Sequence, residues 1–122
     1  MPQAPHLRTG RWAEEQAACY LESHGLRLVS RNFRCRLGEI DLVMADGATL
    51  VFVEVRFRRS QRFGGGLASV TRTKQRKLLA AARAYLARHR LIDAACRFDV
   101  ISVTKRNYRP DFLWLKDAFG QD

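Results

Sequence analysis

The sequence predicts a mixed α/β domain with its elements in the order α-βββ-α-ββ, and three observations carry that prediction. Residues 11–24 place apolar side chains at helical intervals and then meet a glycine. Residues 50–58, LVFVEVRFR, form a nearly continuous β-branched and aromatic run that suits a strand buried on both faces. Residues 70–89 return to helical spacing and are followed by a second strand-like run at 97–105. A chain of 122 residues holds one domain with one core. The expected extent is 1–122, with the core at about 10–119 and residues 1–9 flexible.

The elements follow in order. In the first helix, Trp12, Ala13, Ala17, Tyr20, Leu21 and His24 share a stripe, and Gly25 is the stop. A strand follows at 26–36 with Leu26, Leu28, Phe33 and Cys35, bent by a polar break at 30–32. In the next run, Ile40, Leu42 and Met44 are expected on one face and Glu39, Asp41 and Val43 on the other, with Asp46-Gly47 as a hairpin turn. Three successive glycines at 64–66 mark the loose stretch 60–68, expected to be a mobile loop that orders over a bound nucleic acid. Leu78, Leu79, Ala82, Tyr85 and Leu86 form the apolar stripe of the long helix. Residues 97–105 give the fourth strand, and 111–119 a fifth at the sheet's edge.

Charge narrows the partner. Lys and Arg total 22 against 12 Asp and Glu, a net charge of +10. Between Glu54 and Asp93 there is no acid, whereas Arg56, Arg58, Arg59, Arg62, Arg72, Lys74, Arg76, Lys77, Arg83, Arg88 and Arg90 all lie there. Nucleic acid is the economical partner for such a segment, because each neutralised phosphate releases condensed counterions. Arg58, Arg59, Arg62, Arg72, Arg76 and Lys77 are the expected contacts. A solvated basic face and attraction to an anionic lipid surface are the competing explanations. No apolar run approaches the ~20 residues that cross a bilayer, and no signal-peptide pattern opens the chain, so a cytoplasmic protein without a membrane partner is expected. Cys19, Cys35 and Cys96 show no metal-ligand spacing and are expected as reduced, mostly buried thiols.

Three acids stand in unusual places. Glu39 and Asp41 are two apart on one strand, and Glu54 interrupts the apolar run VFVEVRF, where an uncompensated carboxylate is costly. Pairing across the Asp46-Gly47 turn brings Asp41 near Glu54. Either Glu54 is simply paired with Arg56, which shares its face, or with another arginine, or Asp41 and Glu54 hold a hard divalent ion through oxygen ligands. The spacing leaves both open.

The pattern G-x-x-x-E-x-x-A-x-x-Y-L at 10–21, RNFRCRLGEIDLV at 31–43, LVFVEVRFR at 50–58, VTRTKQRKL at 70–78 and RFDVISV at 97–103 closely resembles the YraN-like family of small bacterial proteins. That family is similar, distantly, to archaeal Holliday-junction resolvases among the PD-(D/E)xK nucleases. The resemblance implies a restriction-endonuclease-like mixed sheet flanked by helices, and hydrolysis of structured or branched DNA with Mg²⁺ (or Mn²⁺). A nucleic-acid-binding protein that keeps the fold without cutting is the alternative. It implies that Asp41, Glu54 and the Val55 carbonyl ligate the metal, that Glu14 completes the acidic cluster, and that Lys74 and Gln75 face the phosphate. Resolvases cut two symmetric strands, which implies a homodimer. The tripeptide reads Glu54-Val55-Arg56 where the motif has lysine. Arginine grips a phosphate oxygen but does not give up its proton near neutrality, and Lys74 is the candidate substitute.

Overall fold

The computed structural model describes residues 5–59 and 69–120, and within them the expected order α-βββ-α-ββ. The first helix, α1 (Pro5–Ser23), begins inside the segment expected to be flexible, so residues 5–9 are helical backbone; 1–4 lie outside the described residues. Its buried stripe is Ala13, Ala17, Ala18 and Leu21, and the three alanines let the helix lie close on the sheet. The stop is a Schellman turn: the Leu26 N–H reaches the Leu21 carbonyl, the Gly25 N–H reaches Glu22, and Gly25 takes φ +96°.

Five strands follow in spatial order β1-β2-β3-β4-β5, matching chain order. β1 (Arg27–Cys35), β2 (Gly38–Asp46) and β3 (Thr49–Phe57) form an antiparallel meander. The long helix α2 (Arg72–Arg88), N-capped by the Thr71 hydroxyl, then carries the chain to β4 (Cys96–Arg106), which lies parallel to β3. β5 (Arg109–Phe119) returns antiparallel as the expected edge strand. Residues 60–68, including Arg62, where a loop was expected, lie outside the described residues.

The sheet is packed on both faces. One core cluster joins α2 to Phe33, Ile40, Val43, Phe52, Phe98 and Val100; the other joins α1 to Leu42, Met44, Val51, Val53, Ile101 and Val103. Both faces of β3 are therefore covered, which is why its stretch Leu50–Val53 is continuously apolar. In α2 the buried set is Leu78, Ala81, Ala82, Tyr85 and Leu86, with Ala81 taking the place expected for Leu79, which packs at the rim. The cysteines are free, but Cys19 and Cys96 are exposed rather than buried.

One irregularity positions the site. Simple alternation puts Ile40 on the face of Leu42 and Met44, yet Ile40 packs on the α2 side with Phe33 and the other two on the α1 side. The break falls at Asp41. The register Arg31↔Leu42 and Phe33↔Ile40 places Asn32 opposite it, and Asn32 has φ 52°, a left-handed conformation that asparagine tolerates better than most residues.

Candidate active site

The β2–β3 ladder runs from Asp46↔Thr49 to Leu42↔Val53 and ends there. β2 stays paired with β1 as far as Cys35↔Gly38, and β3 stays paired with β4 as far as Phe57↔Val103. The sheet thus forks between β2 and β3, and the next residues on the two prongs are Asp41 and Glu54.

Asp41 holds the fork open in a defined way. Its Oδ2 accepts the Val55 N–H at 2.8 Å, a side-chain bond that replaces ladder pairing just past the last β2–β3 pair. Its carboxyl also hydrogen-bonds Glu54, and it is pushed up to about 8, by burial first, then by the charge of Glu54 and the shared hydrogen bond; the Val55 N–H and Lys74 act in the opposite direction. The neighbouring Glu54 thus favours the protonated form of Asp41.

Glu54 is 3% exposed. Its Oε2 lies 3.4 Å from Arg56 Nη1 and 3.6 Å from Lys74 Nζ. Both are loose for charge-assisted hydrogen bonds, which run at about 2.7–2.9 Å. Arg56 is oriented from its other side, where its Nε donates to the Ser69 hydroxyl at 3.0 Å. Lys74 is delivered by the first turn of α2, whose N-cap Thr71 accepts the Lys74 N–H. Glu14 comes from α1 on the opposite face. Burial, then the charge of Asp41, raises its pKa, and Asn32 hydrogen-bonds its side chain. The fork is what lets an acid from the α1 face approach a pair attended by cations on the α2 face.

The sequence-predicted residues therefore separate. Glu14, Asp41, Glu54, Arg56 and Lys74 meet at the fork. Gln75 is occupied otherwise, its amide donating to the Val70 carbonyl at 3.1 Å, where it ties the entry of α2. Val55 takes part through its N–H. Arg58 and Arg59 continue from the end of β3, and Arg72, Arg76 and Lys77 are exposed on the first turns of α2. Three further residues were not singled out. Asn32 and Ser69 orient Glu14 and Arg56. At Gly38 an added Cβ would stand 2.8 Å from the Lys77 carbonyl, so only glycine lets β2 start against α2. The Asn in the polar break and the Gly before the acids were the available signals.

Among the described residues no three His, Cys, Asp or Glu side chains close on one point as a metal cage. The fork offers two hard carboxylates instead, which fits Mg²⁺, an ion bound through one or two carboxylates plus waters and substrate phosphate.

A family model described as "Uncharacterised protein family UPF0102" matches residues 13–103. The chain belongs to the UPF0102 family. It is 56% identical over 110 residues to the UPF0102 protein of Methylococcus capsulatus, covering 90% of this chain and 89% of that one. It is 48% identical over 120 residues to the UPF0102 protein of Nitrosococcus oceani, covering 98% and 97% respectively. The UPF0102 protein of Ralstonia pickettii is 52% identical over 125 residues, covering 99% and 97%. The UPF0102 match spans every residue at the fork, from Glu14 to Lys74. No helix among the described residues is long and apolar enough to cross a membrane.

Proposed function

We propose that this protein is a metal-dependent nuclease that hydrolyses phosphodiester bonds in structured or branched DNA, in the manner of a junction resolvase. The observation that carries the reading is the Asp41–Glu54 pair. Burial of two touching carboxyls at the end of a fork is a cost that scaffolding does not require, and a divalent cation would relieve it. Asp41 and Glu54 would hold that ion, with the Val55 carbonyl as the expected third protein oxygen. The ion, Mg²⁺ or Mn²⁺, would supply activation of water and shielding of phosphate charge.

The chain's own residues have separate tasks. The Val55 N–H fixes the Asp41 carboxylate. Lys74 and Arg56 flank Glu54 now, and would turn to a phosphate oxygen once the acids face an ion. Glu14 would orient water at the rim. Arg58, Arg59, Arg62, Arg72, Arg76 and Lys77 would hold the flanking phosphates, so affinity should fall steeply with added salt. Cutting two symmetric strands would take two copies of the chain.

Arg56 favours a second reading, a nucleic-acid-binding protein that does not cut. A guanidinium held by Ser69 cannot serve as a base near neutral pH. One assay separates the two: cleavage of labelled junction, flap and single-stranded DNA with Mg²⁺ or Mn²⁺. Asp41→Ala and Glu54→Ala should abolish cutting while leaving DNA binding intact, because they remove negative charge from a phosphate site. Arg56→Lys should raise the rate. Failure of both parent and Arg56→Lys to cut any substrate would leave the binding protein as the function, and cutting that persists without both acids would expose a contaminant.

A further inference from the structure

The geometry points to Leu37, at the tip of the β1–β2 turn, as a wedge that inserts between base steps beside the fork and sets the specificity for branched DNA. This rests on the nuclease reading above and names the residue that selects the substrate at that same site.

The turn is two residues long, Arg36 and Leu37, between the paired Cys35 and Gly38. Leu37 is 61% exposed. Turn tips favour Gly, Asn, Asp, Pro and Ser for conformational reasons, and none of those reasons calls for leucine. One exposed leucine is ordinary in itself; its surroundings are not. Between the turn and the start of α2 lies a cleft of about 390 Å³ whose lining includes Leu37 itself and Leu78 alongside the cations Arg34, Arg36, Lys74 and Lys77. Its single carboxylate, Glu39, is paired with Arg34 at 3.4 Å. An apolar tip beside a cationic trough is the arrangement by which DNA-bending proteins grip phosphates while pushing a side chain between bases.

A wedge must not yield, and this one is braced. Gly38 seats the turn against the backbone of Lys77, with no room for a Cβ. The Cys35 thiol donates to the Gly38 carbonyl at 3.4 Å. Phe33 and Ile40, paired across the hairpin just below the tip, are buried in the α2-side core. The trough also leads to the acids, because Lys74 both walls it and lies 3.6 Å from Glu54. A strand whose phosphates fill the trough therefore passes from the wedge to the fork. Opening a fully stacked duplex is costly, whereas at a branch or mismatch the bases are already parted. A rigid wedge thus converts DNA shape into selectivity without reading a base.

The test uses the full chain with EDTA present, so that nothing is cut. Two DNAs are compared: a four-way junction with 2-aminopurine beside the branch, and a fully paired duplex with the same label. The wild type should raise 2-aminopurine fluorescence in the junction and bind it more tightly than the duplex. Leu37→Ser should lose the fluorescence rise and bind the junction on the order of tenfold more weakly, as loss of one buried leucine contact implies, with duplex affinity unchanged. Leu37→Met should keep both. Because Leu37 packs against no core, circular dichroism should report the same fold in all three proteins. Equal junction affinity and equal fluorescence in wild type and Leu37→Ser would overturn the wedge and leave the nuclease reading standing. Wild-type protein that binds neither DNA would overturn both.

Discussion

On β4, Arg97 and Asp99 stand two residues apart, as Glu54 and Arg56 do on the adjacent strand β3, and the two pairs face opposite layers of the sandwich. Asp99 is 0% exposed. Its oxygens accept Arg97 Nε at 3.0 Å and Nη2 at 3.2 Å, Trp114 Nε1 at 2.9 Å and the Asp117 N–H at 2.9 Å. Arg97 has a second carboxylate, Asp46, at 2.8 Å. The Asp117 contact has a structural task, since the β4–β5 register shifts between Phe98 and Val100 and Asp117 sits in this bulge with φ 50°. Glu54, nearly as buried, has two cations at 3.4 and 3.6 Å and a carboxyl as its other neighbour. The same local arrangement of acid and arginine is closed on β4 and left incomplete on β3. A buried acid with all its donors in place belongs to the scaffold, and one facing another acid is held at a cost that a bound cation would remove.

Removing an acid should therefore act with opposite sign at the two places. Asp99→Ala leaves the Trp114 and Asp117 N–H groups without acceptors and strips Arg97 of its bidentate partner. Breaking a buried pair of this kind costs about 3–5 kcal/mol, a large share of the ~5–15 kcal/mol that holds a domain folded. Urea denaturation should show the loss, and a midpoint within error of the parent would mean that the network is not a scaffold. Asp41→Asn should stabilise. With its pKa pushed up to about 8, folded Asp41 keeps a proton that the unfolded chain has released above about 4. Between those values the folded state binds more protons, so stability falls as pH rises and reaches its lowest level above 8. The Asn variant should lack that decline and melt several degrees higher than the parent at pH 8 without metal. Divalent ion should stabilise the parent alone, more strongly at pH 8 than at pH 6, because the ion displaces the Asp41 proton. A parent melting curve insensitive to both pH and Mg²⁺ would break the contrast.

How much of this was legible follows from the same residues. Periodicity in the sequence located every helix and strand among the described residues, because each presents a distinct repeat of apolar residues. It misassigned the face of Ile40, since alternation assumes a flat strand and the left-handed Asn32 breaks it at Asp41. Glu54 was conspicuous because an acid inside the apolar run VFVEVRF is costly without a compensating cation. Asp99 inside RFDVISV carried the same signal, but its partners Trp114 and the Asp117 backbone are brought in by a bulge that no spacing announces. Asp46, Trp114 and Asp117 lie far from the Arg97–Asp99 pair in the chain, and only the folded register joins them. Lys74 and Gln75 looked alike at the start of α2, and a helix turns consecutive residues by about 100°, so one reaches the fork and the other cannot follow it.

That last difference gives the smallest effect. Gln75 donates to the Val70 carbonyl, and Lys74 reaches Glu54. Gln75→Ala removes one neutral hydrogen bond at the entry of α2, worth about 0.5–1.5 kcal/mol, and leaves the charges at the fork as they were. Lys74→Ala removes a cation that lowers the Asp41 pKa. In Lys74→Ala the Asp41 pKa therefore rises further, and the pH at which half of the protein binds Mg²⁺ moves upward. In Gln75→Ala that midpoint should coincide with the parent's while the urea midpoint falls slightly. Calorimetric Mg²⁺ titrations across pH 6–9 on the three proteins read both quantities. An equal upward shift in the two variants would mean that Gln75 acts on the fork through the placement of α2, and that the boundary between scaffold and site lies one residue further along the helix.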